Sequence, residues 1–217
     1  MPGSTLRLGS AADSFSNQGT ITLGSAATLR LGGSFSQTNF GSISNTGGTV
    51  YIDGTLANTG TVLATGTAAS LGTVALTGLI TGGTIDGSGM LPQGGTLSGV
   101  IYDGPLDLSR AGARVTVDGA GITLTGTSGT GPGSVLLTGG NSYLRFSGTQ
   151  TVDNAAISIA GTSGGGFLEA VGSGTTLTLG PNLSLTQTGR IARLYAYASD
   201  VIVNTGTIDA GVATGSM

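Results

Sequence analysis

Residues 5–9 read Thr5-Leu6-Arg7-Leu8-Gly9, and the same five residues return 23 positions later as Thr28-Leu29-Arg30-Leu31-Gly32. An offset of this size is typical of solenoid proteins, which repeat one structural unit along the chain. Apolar and polar residues alternate within the phrase, so the leucines point to one face of a strand and the polar residues to the other. The closing glycine suits a sharp corner. The phrase therefore predicts strands that stack coil upon coil.

A second phrase, Asn-x-Gly-Thr followed by Ile or Val, begins at Asn17, Asn58 and Asn204, and at Asn45 it carries one extra glycine. We interpret each copy as the end of one strand, a tight turn and the start of the next strand. Apolar-polar-apolar triplets recur between the turns, among them Ile21-Thr22-Leu23, Val115-Thr116-Val117 and Leu177-Thr178-Leu179. No segment shows a helical period. The patterns predict an all-β parallel β-helix, or β-solenoid, that forms one domain over residues 1–217 with about nine or ten coils.

The composition supports an ordered chain with little capacity for catalysis. Glycine contributes 43 of 217 residues and charged residues only 8%, but 38% of the residues are hydrophobic and can form a core. The chain has no Cys and no His, its seven basic residues are all Arg, and Glu169 is the one glutamate. These absences remove the side chains that most often act as nucleophiles, general bases and metal ligands. We therefore expect no enzyme activity, no catalytic residues, no metal site and no cofactor.

The charge and hydropathy patterns argue against a nucleic-acid partner and against a membrane-spanning segment. The net charge of −3 does not provide the basic surface that nucleic acids require. No apolar run approaches the roughly 20 residues of a membrane-spanning helix. We expect neither a nucleic-acid partner nor a membrane span.

The two phrases and the Cys-free Gly/Thr/Asn composition resemble the β-solenoid passenger regions of large bacterial surface proteins. These proteins include autotransporters and filamentous-haemagglutinin-type exoproteins. The resemblance implies a right-handed parallel β-helix, an extracellular or cell-surface location and the structural and adhesive role of an adhesin. Because no polar cap flanks the outermost strand phrases, we expect a segment of a longer repeat protein. The alternative is a filament subunit whose bare strand edges associate head to tail.

The best candidate for a contact patch lies near the end of the chain. Tyr195 and Tyr197 follow Arg190 and Arg193, and Tyr and Arg are the residue types that dominate interface hot spots. Such a patch would bind a host-surface, matrix or glycan ligand. The alternative interpretation is an ordinary strand in which both tyrosines lie on the face opposite to Leu194.

A carbohydrate-active β-helix, acting as a polysaccharide hydrolase or lyase, is the alternative function from another class. Its candidate residues are Asp86, Asp103, Asp107 and Arg110, because glycoside hydrolysis needs paired carboxylates. With a coil period of about 20 to 24 residues, Asp86 and Asp107, which are 21 residues apart, would stack on one face with Arg110 close by. Most of these aspartates precede glycine, however, so turn formation explains them equally well.

Overall fold

A computed structural model describes residues 3–11, 13–161 and 164–212, which form 26 β-strands and three short 3₁₀ helices. The first strands are β1 (Thr5–Leu8), β2 (Thr20–Leu23), β3 (Thr28–Leu31), β4 (Ser34–Ser36), β5 (Ser42–Asn45), β6 (Thr49–Ile52), β7 (Thr55–Ala57), β8 (Val62–Ala64) and β9 (Thr73–Leu76). The central strands are β10 (Leu79–Thr81), β11 (Thr84–Asp86), β12 (Met90–Ser98), β13 (Val100–Asp103), β14 (Pro105–Asp107), β15 (Arg114–Val117), β16 (Ile122–Thr125), β17 (Gly133–Leu137) and β18 (Ser142–Ser147). The last strands are β19 (Gln150–Val152), β20 (Ala155–Ile159), β21 (Gly166–Val171), β22 (Thr176–Leu179), β23 (Ser184–Gln187), β24 (Ala192–Ala196), β25 (Val201–Asn204) and β26 (Thr207–Asp209). The 3₁₀ helices are Gln37–Asn39, Gly87–Gly89 and Thr127–Gly129.

One long parallel sheet runs the length of the solenoid, in the order β1-β3-β6-β9-β12-β15-β18-β21-β24. We call it the long sheet, and each of its strands opens one coil, which gives nine coils in the described part of the chain. Thr5 pairs with Thr28 and Leu8 with Leu31, so the 23-residue offset of the opening phrase is confirmed. The predicted parallel β-solenoid is confirmed with it. Its handedness stays a prediction from the resemblance.

Shorter parallel sheets form the remaining sides of the coils. They have the orders β4-β7-β10-β12, β8-β11-β13-β16, β14-β17-β20-β23-β26, β19-β22-β25 and β2-β5. Coil length varies from 16 residues, between Val74 and Met90, to 29, between Arg114 and Tyr143. The strand positions are therefore kept from coil to coil, and the connections absorb the variation in length.

The core is a set of apolar rows that run along the solenoid axis. Leu29, Val50 and Val74 are register partners on successive coils, and each is almost completely buried. Their polar strand neighbours face outward, as the alternation in the sequence predicts. Within each row, a side chain is shielded from water by the side chains of the coils above and below. Every coil is therefore stabilised mainly by its two neighbours.

The Asn-x-Gly-Thr turns join neighbouring coils through the asparagine side chain. In the copies at Asn17 and Asn204 the side-chain oxygen accepts a hydrogen bond from the glycine two residues on, as in an Asx turn. The side-chain amide in three copies donates to a main-chain carbonyl of the next coil: Asn17 to Phe40 (2.7 Å), Asn45 to Leu71 (2.7 Å) and Asn58 to Thr84 (3.0 Å). The phrase thus makes the turn and fixes its distance from the coil that follows.

Glycines at one corner allow the coils to approach very closely. A Cβ added at Gly54 would overlap the carbonyl oxygen of Gly33, and one added at Gly78 would overlap that of Gly54. Neither Gly54 nor Gly78 has a positive φ, so contact with the neighbouring coil is what requires glycine there.

Across the three described ranges, no helix has the length and apolar character needed to cross a membrane.

Candidate binding surface

The outward face of the long sheet carries large side chains on its last four coils. In one row Arg114, Tyr143, Phe167 and Arg193 are successive register partners on β15, β18, β21 and β24. A second row places Arg145, Glu169 and Tyr195 beside them. We call these seven residues, together with Tyr197, the aromatic strip. All of them come from alternate strand positions or the residue that follows β24, so they project away from the core.

The rings of the aromatic strip stack along the solenoid axis. The ring centroids of Tyr143 and Phe167 are 4.5 Å apart with an interplanar angle of 16°, and Tyr195 follows Phe167 at 6.0 Å. Tyr197 lies 6.1 Å from Tyr195 in a tilted arrangement. The guanidinium of Arg193 lies 5.1 Å from the centre of the Phe167 ring, which adds a cation–π contact. The stack buries Phe167 although this side chain faces outward.

A fully buried carboxylate lies beneath the rings. Glu169 accepts a hydrogen bond from Arg145 Nε at 2.6 Å and another from the Tyr197 hydroxyl at 2.9 Å. The hydrogen bond to Glu169 is the main cause that raises the pKa of Tyr197 above its ordinary value, and burial adds to it. Because a charged acceptor makes the stronger kind of hydrogen bond, Glu169 holds both Arg145 and Tyr197 in place.

The structure brings together three of the four residues of the predicted contact patch. Tyr195 and Tyr197 are 43% and 47% exposed, Arg193 adjoins them, and Leu194 packs toward the core. Arg190 is exposed in the connection before β24 and lies outside the ring stack. The neighbours of these tyrosines on earlier coils were not predicted: Tyr143, Arg145, Phe167 and Glu169. Their register spacing of 24 residues in the sequence was the available signal.

The aspartates of the carbohydrate-active alternative are arranged differently from the prediction. Asp86 pairs with Asp103, whereas Asp107 pairs with Leu136 of the next coil, so the predicted stacking of Asp86 on Asp107 is wrong. The reason is the short connection through Gly87–Gly89, which makes the fifth coil begin sooner than a 21-residue period requires.

The same aspartates are engaged in hydrogen bonds with other residues of the solenoid. Asp86 accepts from the backbone N–H of Ser88 at 3.2 Å, and Asp107 accepts from that of Ser109 at 2.8 Å. Asp103 accepts from the hydroxyl of Thr125 on the next coil. The contacts of Asp86 and Asp107 are those of turn residues, as the turn interpretation of the aspartates predicts, whereas Asp103 bonds to the neighbouring coil.

Asp107 and Arg110 do share a shallow cleft of about 260 Å³ with Arg114. Among its described lining residues Asp107 is the only carboxylate, whereas hydrolysis of a glycoside uses two. Within the described ranges, no group of three acidic, His or Cys side chains is placed to hold a metal ion. The cleft borders the aromatic strip through Arg114.

No protein-family model, curated protein or solved structure matches this chain. The parallel β-solenoid is therefore shown by the structure alone. Membership in the autotransporter or haemagglutinin-type groups stays a prediction.

Proposed function

We propose that this chain is a structural and adhesive rod of a bacterial extracellular or cell-surface protein. It acts by binding and not by catalysis, and the aromatic strip is its contact surface. The observation that carries the proposal is the arrangement around Glu169. Two hydrogen bonds to this buried carboxylate fix Arg145 and Tyr197, and the ring of Tyr197 lies against the half-exposed Tyr195.

The solenoid supplies the structural half of the proposal. Backbone hydrogen bonds between coils run along the axis, and buried aliphatic rows continue from coil to coil. A repeat architecture of this kind makes an extended, stiff body with long exposed faces. Such a body suits a part that carries a binding surface away from a cell.

The aromatic strip supplies the adhesive half. Tyr and Arg are the side chains that contribute most to binding energy in interfaces. Here the rings are already stacked, and the guanidinium groups of Arg145 and Arg193 are already held. Less side-chain entropy is then lost when a ligand binds, so a given contact area yields a higher affinity.

A binding screen with two matched variants tests the proposal. Fluorescently labelled protein is applied to arrays of extracellular-matrix proteins, cell-surface preparations and glycans. One variant combines Tyr195→Ser with Tyr197→Ser. The control combines Val201→Ser with Val203→Ser, which removes side chains of similar exposure (48% and 39%) from a different sheet.

We expect the wild type and the valine control to bind the same array member, and the tyrosine variant to lose at least tenfold in affinity. Circular dichroism and thermal melting check that both variants remain folded. Absence of any bound member, or equal binding by all three proteins, would refute the proposed function.

A further inference from the structure

The shape of the aromatic strip favours a linear ligand. The row from Arg114 to Arg193 crosses four coils, so the two ends of this row lie about 14 Å apart along the axis at the usual strand spacing. Across the axis, the two rows of the strip span only about 7 Å. A stable protein–protein interface covers about 800 Å² on each partner. The strip covers a much smaller area than such an interface. Its long direction coincides with the axis of the rod.

The charge of the strip favours an anion. The strip contains three arginines, Arg114, Arg145 and Arg193, but only one carboxylate, Glu169, although the whole chain has a net charge of −3. Glu169 pairs with Arg145. Of the ion pairs in the described ranges, none involves Arg114 or Arg193, although Arg193 Nη1 donates a hydrogen bond to the Gly164 carbonyl at 3.1 Å. Among the described residues, no carboxylate within ion-pair distance therefore balances the positive charge at the two ends of the row. Planar guanidinium groups bind carboxylates in a bidentate manner.

The rings distinguish between classes of linear anion. Bases of a single-stranded nucleic acid bind by stacking on free ring faces. The faces of Phe167 are covered by Tyr143 on one side and by Tyr195 and Arg193 on the other. What the strip offers is ring edges, tyrosine hydroxyls and the exposed sides of Tyr195 and Tyr197. The exposed sides of Tyr195 and Tyr197 suit the C–H groups of a sugar, and the tyrosine hydroxyls suit its hydroxyl groups.

We propose that the aromatic strip binds a linear, carboxylated polysaccharide, a chain that contains uronate sugars, aligned with the axis of the rod. Arg114 and Arg193 each bind a carboxylate, and the tyrosines contact the sugars between them. The inference rests on the proposed function and names the ligand class of the same surface.

Titration calorimetry with defined chains tests this inference. The probes are oligogalacturonate and oligo-alginate, with neutral malto-oligosaccharide, a sulfated glycan, poly-glutamate and single-stranded DNA as comparisons. The variants are Arg114→Gln and Arg193→Gln. Arg7→Gln is the matched control, because Arg7 also projects from the long sheet but lies on the first coil.

We expect the uronate chains to bind in low salt, to bind more weakly as salt rises, and to lose at least tenfold in affinity with either strip variant. The Arg7 variant binds like the wild type. The guanidinium of Arg114 has no ion-pair partner in the described ranges, so its variant stays informative if Arg193→Gln disturbs the fold.

Several results would overturn the inference: equal binding of the neutral chain, stronger binding of the sulfated glycan, poly-glutamate or DNA, or no effect of either arginine. If the uronate chains fail but the tyrosine variant still loses its array target, only the ligand class is wrong. If no array member binds either, the proposed function fails as well.

Discussion

Replacing Tyr102 with phenylalanine should stabilise the protein. Tyr102 lies on β13 with its side chain in the core, fully buried. Among the described residues its hydroxyl has no hydrogen-bond partner. A buried polar group without a partner costs about 1–3 kcal/mol, and phenylalanine removes the hydroxyl while it keeps the ring. We therefore expect Tyr102→Phe to raise the free energy of unfolding by about 1–3 kcal/mol at pH 7.

The difference should widen in alkali. Burial is the main cause that raises the pKa of Tyr102 well above its ordinary value, and the carboxylates of Asp107 and Asp86 add to it. The stability tied to the neutral hydroxyl is complete below the unfolded pKa of about 10 and decreases as the pH rises above it, because only the unfolded tyrosine ionises. The loss reaches about 1.4 kcal/mol per pH unit, and the phenylalanine variant escapes the part that Tyr102 causes.

Urea unfolding followed by circular dichroism at pH 7 and pH 11 measures both effects. Tyr51→Phe is the control, since Tyr51 is only half-buried and stacks on Arg30 outside the core. Lower stability of Tyr102→Phe at pH 7 would show that a partner, such as a buried water, satisfies the hydroxyl. Equal losses between pH 7 and pH 11 in the variant and the wild type would refute the pH argument.

Three further substitutions test the contacts between coils. Gly54→Ala should lower the free energy of unfolding by about 2 kcal/mol or more, as overpacking does, because the Cβ of the alanine would overlap a carbonyl of the neighbouring coil. Gly24 has open space around it, so Gly24→Ala should change the free energy of unfolding little in the same urea titration. Asn58→Ala should cost about 2–3 kcal/mol by thermal melting, since the buried asparagine bonds to the next coil, whereas Asn204→Ala should cost less than 1 kcal/mol because its bonds are local and exposed. Tyr197→Phe should cost about 1 kcal/mol at pH 7; because the pKa of Tyr197 is raised, this share of stability is present below the ordinary tyrosine pKa and lost above it, so wild type and variant should converge in melts at pH 11.

The opening phrase allowed the fold to be predicted because strand alternation and corner glycines are local properties. Thr5 to Gly9 and Thr28 to Gly32 contain the inward leucines, the outward polar residues and the corner within five positions each. The coils between Val74 and Tyr143 vary more in length, and the pairing of Asp86 with Asp103 depends on a three-residue 3₁₀ helix. Coil length is set by each connection separately, so one average period could not give that pairing.

Only the C-terminal part of the aromatic strip could be predicted from the sequence. Tyr195 and Tyr197 are adjacent in the chain to Arg193, so composition alone drew attention to them. Glu169 looks like an isolated acidic residue in the sequence, but its hydrogen bonds come from Arg145 and Tyr197, 24 and 28 residues away. To predict these contacts from the sequence, the register of β18, β21 and β24 would have to be known at the same time.

The direction of the backbone hydrogen bonds has a mechanical consequence. A pull along the axis separates neighbouring strands one bond after another, like a zipper, and does not shear a whole ladder at once. The coil between Thr5 and Thr28 contains 23 residues, which span about 80 Å when fully extended but rise by only about 4.8 Å when folded. Each coil that yields under load therefore lengthens the rod roughly fifteenfold locally. In the surface role proposed above, the rod would absorb a sudden force by releasing chain in steps while the remaining coils stay folded.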